Sequence, residues 1–185
     1  QDDQRTFLIR VEPGESNPGK LAQTAEVTRE VLRGQLTPLE GSRRLEALEL
    51  APPPYPVWLT TAAFAIASGS SARFLGGGWH EMVAGLGIGL AIGLLSLVTT
   101  RIAGLNRVFE PVAALTASLL AAGVAWAGFP ISVFIATLAG VIVLIPGLTL
   151  TTAMTEISTR HLAAGTARLM GAIVLLLGIT FGIAL

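Results

Sequence analysis

Apolar and polar positions divide this chain near Ala51. Beyond it, apolar residues gather in five stretches, at about 57–75, 82–99, 111–128, 131–145 and 167–185. A membrane-spanning helix needs roughly 20 apolar residues, within a range of about 17–25. Four of the stretches meet that length unaided. The fourth reaches Pro146 after fifteen residues, or about 22 Å at the helical rise. It must continue past the proline or end inside the bilayer. The pattern predicts an all-α membrane protein: a five-helix transmembrane bundle whose fourth helix is broken at 146–147.

The first fifty residues follow shorter periods. Arg5–Val11 alternates as a strand does, with Phe7, Ile9 and Val11 on one face. Pro13-Gly14 and Pro18-Gly19 punctuate a loop. Leu21–Leu32 reads as a helix with surface pairs Glu26–Arg29 and Glu30–Arg33, and Gly34 suits its end. Thr37-Pro38-Leu39-Glu40 predicts a second helix start. Threonine can cap, proline fits the first turn, and the glutamate can reach back to close a capping box. That helix should run to about Leu50, with Leu45 and Leu48 inward and Glu40 paired with Arg44. Residues 51–56 (APPPYP) form a stiff linker, since proline fixes φ and removes donors. Tyr55 stands there as an interfacial anchor. The domains are thus an N-terminal extension (1–50), the linker (51–56) and a transmembrane domain (57–185).

Composition sharpens this division. Of 185 residues, 52% are hydrophobic and 13% charged, against about 25% charged in soluble domains. Residues 1–50 carry seven of the twelve Lys/Arg and nine of the twelve Asp/Glu. Zero net charge gives no electrostatic case for nucleic acid. Without cysteine there is no thiolate chemistry, and two histidines alone make no persuasive zinc site. No Ser-His-Asp, His-Glu-x-x-His or phosphate-loop pattern appears. Neither an enzyme nor a cofactor is therefore expected. The chain begins at Gln1 and stops at Leu185 inside an apolar run, as expected of a segment cut from a longer protein. No signal-peptide core is visible in residues 1–50.

Arginines orient the membrane domain, because cytoplasmic flanks are enriched in them. A cytoplasmic N-terminus places Arg43, Arg44, Arg101, Arg107, Arg160 and Arg168 inside and Arg73 alone outside. Small residues recur every fourth position: Gly85, Gly89 and Gly93; Ala113, Ala117, Ala121 and Ala125; Gly178 and Gly182. Such faces let helices approach closely, within a chain or between copies in a homo-oligomer.

Pro146-Gly147 is followed at once by Thr149, Thr151, Thr152, Thr155 and Glu156. In hydrocarbon a broken helix bares polar backbone, so it survives only against protein or a wet cavity. In transporters such breaks mark where substrate sits. The segment Pro146-Gly-Leu-Thr-Leu-Thr-Thr-Ala-Met-Thr-Glu-Ile157, then Gly165-Thr-Ala-Arg-Leu169, resembles the signature of the threonine/serine exporter family. Ala51-Pro-Pro-Pro-Tyr-Pro-Val-Trp58 and Arg10-Val-Glu-Pro-Gly14 resemble that family's linker and N-terminal portion.

The resemblance covers nearly the whole chain. It implies a multi-pass inner-membrane carrier exporting threonine or serine by proton-coupled alternating access. Some relatives are two-component succinate exporters, so dicarboxylate export is the alternative. It also implies a second five-span unit, in the same or another chain. Where this chain has Thr152, Glu156 and Arg160-His161, the family usually has asparagine, aspartate and glycine-aspartate. A non-transporting membrane scaffold is the reading from another class.

Glu156 is the only acid after Glu110 and the candidate proton-coupling residue. Ionisable groups at membrane depth are functional by default; the plainer reading pairs Glu156 with Arg160 in a wet interface. Thr149, Thr151 and Thr152 offer hydroxyls that donate and accept, either to a small polar solute or back to carbonyls freed by Pro146. Pro146 and Gly147 supply backbone groups at the start of a half-helix. Arg168 can meet a substrate carboxylate, pair with Glu156, or snorkel to lipid headgroups. Arg73 and Glu81 flank Gly76-Gly77-Gly78 and are expected to pair structurally. His80 and His161 read as surface residues, with pH sensing a lesser role for His161.

Overall fold

A computed structural model describes residues 18–52, 55–102 and 108–185. The strand expected over Arg5–Val11, the Pro13-Gly14 loop and Arg107 lie outside the described residues. Within them every regular element is helical: α1 Pro18–Leu32, α2 Pro38–Leu50, α3 Val57–Phe74, α4 Trp79–Arg101, α5 Phe109–Trp126, α6 Val133–Val141, α7 Gly147–Ser158 and α8 Leu162–Ala184. A 3-10 turn, Ile142–Leu144, extends α6. The chain divides into two compact units. One holds Gln1–Ala51 and Leu148–Gly171, the other Pro52–Gly147 and Ala172–Leu185.

In the first unit α1 and α2 form a hairpin. Gly34 (φ 71°) ends α1 in the left-handed conformation, where a side chain is disfavoured. Gly34 N–H donates to Val31 O and Gln35 N–H to Glu30 O, both at 3.0 Å, the two bonds of a Schellman cap. α2 opens with the expected capping box. Glu40 N–H donates to the Thr37 hydroxyl at 3.3 Å, and Thr37 N–H to Glu40 Oε2 at 2.9 Å. These contacts with Thr37, backbone first, hold the Glu40 carboxyl below its ordinary range, and Arg44 adds a smaller pull in the same direction.

Charge pairing departs in part from expectation. Arg29 pairs with Glu26 as the spacing requires. Arg44, however, crosses the hairpin to Glu30 at 2.8 Å instead of pairing with Glu40 along its own helix, and Glu30 therefore meets Arg44 rather than Arg33. Leu48 is half-buried, while Leu45 is exposed. The close approach of the helices centres on Val27 and Gly41. A Cβ on Gly41 would stand 2.6 Å from Val31 Cγ2.

The second unit packs α3 to α6 and the end of α8 around Ile88, Ile92, Ala113, Ala117, Ala136, Leu144 and Ile179. Among the described residues three helices are long and apolar enough to cross a membrane: Trp79–Thr99, Phe109–Trp126 and Leu162–Ala184. Val133–Leu144 with Gly147–Ser158 makes a fourth if that bent pair is one span. α3 is less apolar than these three, because Thr60, Thr61, Ser68, Ser70, Ser71 and Arg73 dilute its apolar content. Packing explains two of those residues. Thr61 and Ser68 are buried against the glycine face of α4. A Cβ on Gly89 would lie 2.5 Å from Phe64 O and 2.6 Å from Ser68 Oγ. α8 likewise presents Gly182 to Pro111 O, where a Cβ would stand at 2.3 Å. These small faces are therefore filled within the unit: Ala113, Ala117 and Ala121 are fully buried.

Arg73 and Glu81 serve the backbone rather than each other. The Arg73 guanidinium donates to Gly77 O at 3.0 Å. Glu81 accepts from Gly78 N–H at 2.8 Å and from Ser132 N–H at 2.9 Å. Both contacts satisfy helix-start donors that would otherwise be orphaned. Ser132 caps α6, so one carboxylate ties the starts of α4 and α6 together.

Candidate functional site

The break forms where the sequence places it. The chain leaves the 3-10 turn, becomes extended at Ile145 (φ −68°, ψ 123°), and resumes helix at Gly147. Pro146 lacks an N–H and cannot continue the ladder. Gly147 N–H turns back to Ile145 O at 2.8 Å. The helix direction bends by 57°, well beyond the gentle curvature of an unbroken helix.

α7 sorts the candidate threonines by face. Residues three and four apart share a side of a helix, so Thr149, Thr152 and Glu156 line up, and all three are half-buried beside buried Ala153. Thr151 and Thr155 are exposed. The sequence grouped all these hydroxyls into one pocket; the helix brings Thr149 and Thr152 to Glu156 and turns Thr151 away. The Thr152 hydroxyl donates to Leu148 O at 2.9 Å, and that of Thr155 to Thr151 O at 3.0 Å. These are i−4 bonds within α7, to carbonyls beyond the proline rather than to ones freed by Pro146. A hydroxyl that donates still has lone pairs with which to accept.

Glu156 meets Arg168, the alternative the sequence left open, rather than Arg160. The guanidinium of Arg168 donates twice: Nε to Oε2 at 3.1 Å and Nη2 to Oε1 at 3.0 Å. Bidentate pairing of this kind is the stronger, directional form of an ion pair. About a quarter of each side chain remains exposed, 26% for Arg168 and 23% for Glu156. The pair joins α7 to the second turn of α8.

The turn between α7 and α8 sets this geometry. Arg160 N–H donates to Ile157 O at 3.1 Å and His161 N–H to Glu156 O at 2.8 Å. This is again a Schellman cap, here with Arg160 in the left-handed position (φ 65°). It is the only positive-φ residue other than glycine among the described residues. Left-handed backbone costs a non-glycine residue roughly 1–2 kcal/mol. Arg160 is thus held away from the helical register that would let it reach Glu156. Gly165 then allows close contact: a Cβ there would lie 2.7 Å from Ile157 Cγ1 and 3.0 Å from Ala153 O. His161 is exposed, with its Nδ1 3.0 Å from the Thr159 hydroxyl. Sequence reasoning missed both Arg160's conformation and Gly165's role. The helix-ending spacing around 159–161 was the available signal for the first.

A broken apolar helix followed by a half-buried ion pair, with helices of spanning length, are the features of a polytopic membrane protein. Comparison with known proteins places it further. A family model described as "Putative threonine/serine exporter" matches residues 1–185, and the chain belongs to the threonine/serine exporter family. It is 29% identical over 180 residues to the "Probable threonine/serine exporter" of Mycobacterium tuberculosis, covering 96% of this chain and 34% of that protein. It is 29% identical to "Pheromone-regulated membrane protein 10" of Candida albicans (strain SC5314 / ATCC MYA-2876), covering 96% of this chain and 16% of that protein. The protein of the same name in Kluyveromyces lactis is 30% identical, with 96% and 19% covered. The chain thus spans between 16% and 34% of the length of these relatives. No solved structure matches.

Proposed function

We propose that the chain is one unit of a secondary transporter that exports a small polar metabolite, threonine or serine, in exchange for protons. The observation that carries this reading is the bidentate Glu156–Arg168 pair, half-buried on a face shared with Thr149 and Thr152, directly after the break at Pro146-Gly147. Thr149, Thr152 and Arg168 contact the solute, and Thr151 contributes from the flank. The N–H groups at the start of α7 favour a carboxylate there, because a helix N-terminus carries partial positive charge. Glu156 takes up and gives back the proton. The family membership and the Mycobacterium relative's name support the substrate.

The reading extends to architecture. α3, α4, α5, the α6–α7 pair and α8 are five spans in the inner membrane, with the N-terminus cytoplasmic. A second five-span unit, in the same chain or another, completes the carrier. Dicarboxylate export is the second reading, and Arg160 favours it by adding a positive charge to the turn that joins α7 and α8.

The test uses proteoliposomes of the complete transporter, loaded with threonine, serine or succinate and given a pH gradient. Threonine and serine efflux is expected in wild type. Glu156→Gln should abolish gradient-driven efflux while counterflow persists. Unchanged driven efflux in that variant removes Glu156 from the coupling, and efflux of succinate alone replaces the amino-acid reading.

A further inference from the structure

We infer that Glu156 and Arg168 form an exchangeable ion pair into which a zwitterion inserts, its ammonium taking Glu156 and its carboxylate taking Arg168. The inference rests on the transport reading and adds the determinant of specificity.

The argument starts from charge balance. Each partner of this pair is half-buried, and a partly buried charge left without a counter-charge is costly. Any ligand that opens the pair must therefore satisfy both ends. A zwitterion does so, because it presents one positive and one negative group. A dicarboxylate satisfies Arg168 but sets a second negative charge against Glu156. A simple cation does the reverse.

Geometry permits the exchange. The pair is closed by the long side chain of Arg168, on a backbone fixed by the close contact of Gly165 with Ile157 and Ala153. Swinging that side chain aside leaves α7 and α8 where they are. Thr152 and Thr149 lie one and two turns before Glu156 on the same face. Their oxygens are acceptors for the ammonium or for a side-chain hydroxyl of the ligand. The ammonium competes with a proton for the same carboxylate, so substrate and proton occupy Glu156 in turn.

Binding to the full-length protein in nanodiscs tests this with four probes: serine, N-acetylserine, which lacks the ammonium, serine methyl ester, which lacks the carboxylate, and succinate. In wild type serine should bind more tightly than each of the others. Glu156→Gln should weaken serine about tenfold, the scale of a lost charge contact at a partly exposed site, and strengthen N-acetylserine, whose binding then leaves no carboxylate unpaired. Arg168→Gln should weaken serine and N-acetylserine alike and strengthen the methyl ester, whose binding then leaves no guanidinium unpaired. The exchanged variant, Glu156→Arg with Arg168→Glu, separates recognition from structure. It should regain wild-type thermal stability without regaining serine affinity.

Restored affinity in the exchanged variant, or equal losses of serine and N-acetylserine in Glu156→Gln, would show a purely structural pair. Wild-type preference for succinate overturns the zwitterion rule and leaves transport standing. Absence of binding and of flux for all four probes overturns the transport reading itself.

Discussion

At the scale of single residues, the molecule repeats one helix-ending device and varies one side chain in it. Gly34, Gly76, Gly128 and Arg160 all stand at positive φ after a helix. Three are glycine; the arginine lies between the partners of the ion pair. Arg160→Gly should therefore stabilise the α7–α8 turn by about 1 kcal/mol, the strain released, read as a higher unfolding midpoint in detergent. A lower midpoint would mean that the guanidinium makes contacts outweighing the strain. Gly165→Ala should act oppositely and cost roughly 1–3 kcal/mol, since its Cβ meets backbone atoms of Ile157 and Ala153 that cannot yield cheaply. The threonines and the acid were legible in the sequence because their chemistry is visible as letters. Their division between two faces follows from helical period. The choice of Arg168 over Arg160 depends on a backbone conformation that an arginine codes poorly.

Elements were read best where local chemistry settles them. The α2 start was legible from four residues, because threonine, proline and glutamate at that spacing satisfy the orphan donors of a first turn. Its pH response follows in sign. Glu40 has its folded-state affinity for protons lowered by Thr37 and, less, by Arg44. It therefore supports the helix fully above its unfolded range, and that support fades as pH falls through its lowered value. Amide protection in the first turn of α2 should drop on acidification, and Glu40→Gln should make it insensitive to pH over that window. The partners of Arg44 were not legible, since a cross-hairpin contact with Glu30 depends on how two helices pack. The same holds for α3 and α4. The glycine stripe announced a close approach, but not its partner. Gly89→Leu should separate these helices, because even a Cβ would collide with Phe64 O. The loss should appear as poor folding yield rather than a local change.

For the whole molecule, the open count is whether α3 crosses the membrane. Its hydroxyl and arginine content keeps it below the apolarity of α4, α5 and α8. Two of those hydroxyls, Thr61 and Ser68, turn inward against glycine, while Thr60 and Ser70 stay exposed, so packing removes only part of that polarity from its surface. Sequence windows average over both faces, which is why the five-span count is decided by packing and not by pattern alone. The chain contains no cysteine, so single cysteines can report sidedness without background from this chain. Cysteines at Ser42, Gly77, Phe129 and Arg160 would be labelled in intact cells with an impermeant maleimide. Five spans with a cytoplasmic N-terminus require protection at Ser42 and Arg160 and labelling at Gly77 and Phe129. If α3 lies on the membrane instead, Gly77 shares the side of Ser42 and is protected. If the α6–α7 pair is re-entrant, Phe129 and Arg160 report the same side. Each alternative changes one neighbouring pair of positions, so a single labelling pattern fixes both the span count and the face on which the Glu156–Arg168 pair opens.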